Sequence, residues 1–163
     1  MAFTRVTSAL LLSIVGLATP TWADYEAGVN AFHRADYATA LREWRPLAEQ
    51  GHAGAQYYIG LLYDFQKGVA QDFAMARLWY EKAAAQGHAG AQNNLGGLYE
   101  FGHGVSQNDV LAYMWYSLAA AHPTDDEWRD LALENRDEIA DHMTAAQIAD
   151  AKKRVREWKP TKK

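Results

Sequence analysis

The sequence predicts an all-α fold: a solenoid of stacked antiparallel helix hairpins, about eight helices long, closed by a C-terminal capping helix pair. Three observations carry this. A 36-residue stretch occurs twice in tandem, its small and aromatic residues recur at helical spacing, and glycine turns followed by capping residues separate the helical segments.

Residues 51–86 and 87–122 align without a gap and are identical at 19 of 36 positions. In the first half of each unit Ala55, Ile59, Leu62 and Tyr63 match Ala91, Leu95, Leu98 and Tyr99, offsets that mark one helix face. Gly60 and Gly96 fall inside these helices, where glycine costs about 1 kcal/mol against alanine. Close approach of a neighbouring helix is the expected compensation. Gly68-Val69 and Gly104-Val105 then turn the chain, and Asp72 and Asn108 are suited to cap a second helix. That helix carries Ala76, Trp79, Tyr80, Ala83 and Ala84, matched by Ala112, Trp115, Tyr116, Ala119 and Ala120. Small residues thus face large aromatic ones, a packing that only stacked neighbours complete.

A shorter hairpin at 24–50 follows the same logic through Gly28, Ala31, Phe32, Tyr37, Ala40, Trp44, Leu47 and Ala48. Residues 123–163 read as a cap. Thr124 with Glu127, and Thr144 with Gln147, form capping-box pairs. Trp128, Leu131, Ala132 and Ile139 are expected to be buried from the first capping helix, and Ile148, Ala151, Val155 and Trp158 from the second. The eight helices are expected near 25–34, 37–50, 53–64, 72–85, 89–100, 108–121, 125–142 and 145–158.

The first residues read as an export signal at 1–23. Arg5 supplies a positive start, Val6 to Leu17 an apolar run, and Thr21-Trp22-Ala23 small residues at the two positions a signal peptidase reads. The alternative is an uncleaved anchor or a buried helix. Cleavage would leave one helical domain, 24–163, in the periplasm or outside the cell, with no membrane span. The chain contains no cysteine, which excludes disulfides and thiolate metal sites. Its net charge of −4 is too mild to suggest nucleic acid as a partner.

Six histidines invite a metal or catalytic reading, but no pair shows the i, i+4 spacing of a zinc helix. His52 and His88 stand at equivalent places beside a helix start, as repeat features. No nucleophile elbow or phosphate loop occurs, so no catalytic residue, cofactor or metal is expected. Charge is segregated at the end: residues 152–163 carry seven bases and one acid. Cations favoured near a helix C-terminus explain that, and a tail touching anionic lipid or cell-wall polymer is the competing reading.

The pattern A-x-x-x-LG-x-LY…G-x-GV…A-x-x-WY-x-x-AA is met by Ala91, Leu95, Gly96, Leu98, Tyr99, Gly102, Gly104, Val105, Ala112, Trp115, Tyr116, Ala119 and Ala120. It resembles the Sel-one-like repeat (SLR), a subclass of the tetratricopeptide superfamily. The unit at 51–86 departs from it at Gln66, where the first loop glycine is expected. The resemblance implies a right-handed superhelix whose first helices line a concave groove. It also implies an adaptor or scaffold, not an enzyme, tied in exported bacterial members to envelope regulation, cell-wall enzymes or host contact. Carried onto this chain, the groove positions are Tyr25, Val29, Phe32, Tyr57, Leu61, Asp64, Asn93, Gly97 and Glu100. That mixture of aromatic, amide and acid suits an envelope protein or peptide as partner of a monomer. Two alternatives remain: a cell-wall glycan binder stacking sugars on exposed aromatics, and a hydrolase, although this chain lacks the cysteines of SLR proteins discussed as hydrolases. If Tyr57 and Asn93 line an open groove, replacing both with alanine should leave stability nearly unchanged.

Overall fold

The computed structural model describes residues 21–122 and 126–161, so most of the expected signal segment and the cap at Thr124 lie outside the described residues. All regular structure among those residues is helical: α1 (Trp22–His33), α2 (Tyr37–Glu49), α3 (Ala53–Asp64), α4 (Phe73–Ala85), α5 (Ala89–Phe101), α6 (Asp109–Ala120), α7 (Asp126–Ala140) and α8 (Ala145–Glu157). None is long and apolar enough to cross a membrane.

The helices begin where side chains can satisfy their free N–H groups. Asp72 and Asn108 accept from the backbone N–H of Met75 and Leu111, both at 3.0 Å. His52 and His88 do the same through Nδ1, accepting from Ala55 at 3.1 Å and Ala91 at 3.2 Å. The repeated histidines are therefore caps. Thr144 and Gln147 form the expected reciprocal box. α1 starts earlier than the sequence suggests because Thr21 and Asp24 make a box of their own.

The turn after α5 is left-handed at Gly102 (φ +67°), and Gln66, the equivalent residue, keeps that backbone at φ +52°. Holding a side-chain-bearing residue there costs roughly 1–2 kcal/mol. The glycine missing from the repeat pattern thus changed the residue and not the turn.

Helices α1 and α2, α3 and α4, and α5 and α6 pair as hairpins, and each second helix packs on the next first helix. Gln56 and Gln92 join the units: buried, they donate through Nε2 to the carbonyls of Ala48 (2.9 Å) and Ala84 (3.1 Å) at the end of the preceding helix. The same carbonyls also accept from the backbone N–H groups of Gly51 (3.0 Å) and Gly87 (2.9 Å), so each glutamine adds a second bond at the helix end, within a carbonyl's two lone pairs. A Cβ on Gly60 would lie 2.5 Å from the Tyr80 ring, and one on Gly96 2.6 Å from the Tyr116 ring. The glycine inside each first helix is therefore the seat of an aromatic ring from the second. Gly60→Leu or Gly96→Leu should lower stability by about 1–3 kcal/mol, read by urea denaturation. A variant melting like the parent would show that these helices can move apart freely.

The capping helices both dock on α6. α7 takes the place of a fourth first helix, packing on α6 and reaching α5. α8 packs on α6 and does not run along α7 as a hairpin partner would. Ile139 and Ala151 close the core around Ala112, Tyr113 and Tyr116. Leu131 departs from expectation: it is 41% exposed, because α7 turns Trp128, Ala132 and Ile139 inward instead. Beyond α8, Trp158 meets Trp115 edge to face, and Thr161 donates through N and Oγ1 to the Ala85 carbonyl at 2.7 and 2.9 Å. Up to Thr161 the basic end is thus strapped back onto α4.

Candidate functional site

The nine expected groove positions separate into three environments. Tyr25, Val29 and Phe32 are half-buried in the first core cluster. Tyr25 packs on His52 and Tyr58, and Phe32 on Trp44 and Tyr58. Burial there pushes the Tyr25 phenol up to about 12. Leu61 is half-buried against the second cluster. Tyr57 is 8% exposed, stacked on His88 and met edge-on by Trp128. The expectation that Tyr57 and Asn93 lie on an open surface therefore fails, since Asn93 is 6% exposed and accepts from Asn135 Nδ2 at 3.0 Å. Both are covered by α7, whose Trp128 also lies against Gly90.

What α7 leaves open is a cleft of about 440 Å³ at the C-terminal ends of α3 and α5. Asp64, Asn93, Gly97 and Glu100 line it, so four of the nine positions share one site. The geometry repeats every 36 residues. Tyr80, on α4, donates its hydroxyl to Asp64 at 3.0 Å, and Tyr116, on α6, donates to Glu100 at 2.6 Å. Each carboxylate is held by the tyrosine that packs on the glycine of its own hairpin. Burial, and then the neighbouring carboxylates, push both phenols well up, so they stay protonated donors.

Burial also raises the Asp64 carboxyl, against the lowering effects of the Tyr80 hydroxyl and His103. The folded chain thus holds this proton more tightly than the unfolded chain. Its contribution favours folding at low pH and is lost as pH rises through the raised value. Asp64→Asn, which keeps an acceptor for Tyr80, should flatten that part of the pH–stability curve and melt no lower than the parent at neutral pH. A lower neutral melting point would show that the charge itself stabilises the fold.

Residues that were not foreseen complete the cleft. Asn94 donates to the Tyr80 hydroxyl at 3.1 Å, and Asn135 and Glu138 come from α7. Phe65 and Phe101 stand at its edge, 57% and 66% exposed. His103 lies flat on Phe73 with ring centroids 4.4 Å apart. The signal for the two phenylalanines was in the repeat alignment: they are identical across the units yet belong to no packing face. Among the described residues no cluster of histidine, aspartate or glutamate is arranged to hold a metal ion.

The fold and cleft together define an α-helical repeat protein with an open concave surface. The Sel1 repeat family model matches residues 53–88 and 89–123. A Sel1 repeat protein from Oxalobacter formigenes is 33% identical over 69% of this chain and 86% of its own, with a TM-score of 0.58. A protective antigen present in uropathogenic Escherichia coli strains, displaying an SLR fold, is 29% identical with a TM-score of 0.76. It aligns with 83% of this chain, which spans 29% of the antigen's length. No curated protein matches. The chain belongs to the Sel1 repeat family, whose repeats generally serve as protein-interaction modules and typically as non-catalytic scaffolds.

Proposed function

We propose that this chain is a non-catalytic adaptor of the bacterial cell envelope that holds a segment of a partner protein in the cleft at the ends of α3, α5 and α7. The observation that carries the reading is the pair Phe65 and Phe101, exposed beside a polar, half-buried cleft. Large apolar side chains left in water beside a concave surface mark contact sites. Most of the chain's other aromatic residues are packed inside. The envelope assignment rests on Arg5, the run from Val6 to Leu17 and Thr21-Trp22-Ala23. Cleavage after Ala23 would shorten α1 by two exposed residues and spare its buried Gly28 and Ala31.

A Phe65→Ala, Phe101→Ala double variant tests the cleft. Exposed substitutions should leave melting within about 0.5 kcal/mol of the parent. Crosslinking in the envelope fraction should then recover a partner with the parent and lose it with the folded variant. Recovery of the same partner with both would sink the cleft reading. Mass spectrometry of that fraction should find Asp24 at the N-terminus, and an intact Met1 there would refute export.

A further inference from the structure

We infer that the cleft selects an extended peptide segment carrying two arginines about three residues apart, one for each copy of the duplicated carboxylate–phenylalanine station. This rests on the reading of the cleft as the binding surface and adds the chemistry of what it takes.

The two stations are Asp64 with Phe65 and Glu100 with Phe101, the same positions of successive repeats. A carboxylate offers about four lone-pair positions, and one tyrosine hydroxyl occupies part of that capacity at each station. Glu138 brings a third carboxylate to the same cleft. Among the described residues no lysine or arginine lines it, and none of these three acids makes an ion pair. Three carboxylates on a half-buried surface, offset there only by the imidazole of His103, are complementary to a cationic guest.

The neighbouring phenylalanines narrow the choice. An exposed ring beside a carboxylate suits a guanidinium, which stacks its plane on the ring and directs its N–H fork at the acid. An ammonium gains less from the ring and cannot match the fork. The tyrosine bonds hold each carboxylate in place before a guest arrives, so less side-chain freedom is lost on binding. Spacing follows from the solenoid. α3 and α5 approach closely enough to touch at a few residues, which sets their separation near the roughly 10 Å of neighbouring helices. An extended chain covers that distance in about three residues.

The probe is a fluorescein-labelled, acetylated and amidated decapeptide with two arginines three residues apart in a glycine–serine background. Fluorescence polarisation against the intact protein should show saturable binding that weakens as salt rises. Asp64→Asn and Glu100→Gln, each keeping an acceptor for its tyrosine, should each weaken binding about tenfold or more. Citrulline in place of both arginines should abolish it, and a six-residue spacing should weaken it. Equal binding of the citrulline peptide, or equal binding by both variants, would overturn the inference. A phage-displayed random peptide library separates it from the reading it rests on. Selected peptides that lack basic residues but need Phe65 and Phe101 would refute the arginine preference and leave the cleft standing. Selection of nothing dependent on those phenylalanines would refute both.

Discussion

Truncation after His122 should leave a chain that melts far below the parent and self-associates. α7 and α8 are not an appendage: Ile139 and Ala151 complete the core around Tyr113 and Tyr116, and Ala132 is fully buried. Trp128 covers Tyr57 and lies against Gly90, so the loss would be felt two repeats away. Burying one large apolar side chain is worth about 1.5–3 kcal/mol, and a domain of this size is stable by only about 5–15 kcal/mol. Removing Ile139, Trp128 and their neighbours together therefore consumes a large part of that margin. The uncovered flank of α6, with its aromatic residues, would then seek another copy. Removing only 159–163 should cost much less, because it deletes the Thr161 bonds to Ala85, each worth about 0.5–1.5 kcal/mol net. Sedimentation and thermal melting of both truncations check this. A monomeric 1–122 chain melting like the parent would show that the repeats are complete without their cap.

The helices were legible because repetition supplied the same evidence twice. Ala91, Leu95 and Leu98 confirm what Ala55, Ile59 and Leu62 suggest, and all six are buried. Asp72 and Asn108 could be read as caps from residue type and position alone, since capping is local chemistry. The start of α1 was missed for a different reason: Thr21 and Asp24 straddle the expected cleavage point, and the export signal masked a helix start. What faces what was harder. Leu131 has the right spacing for burial and is exposed, because that spacing marks a face but not which neighbour covers it. The cleft was half legible: Asp64, Asn93, Gly97 and Glu100 follow from groove geometry, whereas Asn135 and Glu138 depend on where a non-repeated helix lands. Phe65 and Phe101 lie at the ends of their helices, beyond the face that periodicity tracks, so only their identity across the units could have pointed to them.

Tyr57→Ala separates the groove inferred from family geometry from the one α7 leaves open. An idle or ligand-facing tyrosine on an open groove would be replaced at almost no cost. Here the ring stacks on His88 at 4.5 Å, meets Trp128 at 80° and lies near Tyr58 and Tyr80, at the point where α3, α5 and α7 converge. Truncating a buried aromatic of this kind costs about 3–5 kcal/mol, since the void left behind cannot fully collapse. His88 caps α5 through Nδ1, so losing the ring that holds its imidazole should also loosen the start of that helix. Tyr57→Phe keeps the ring and should recover most of the loss. Urea denaturation of the three proteins, with hydrogen exchange at Ala91, reads both effects. A Tyr57→Ala protein as stable as the parent, with Ala91 equally protected, would mean that α7 does not close over α3 and that the groove runs open along its whole length.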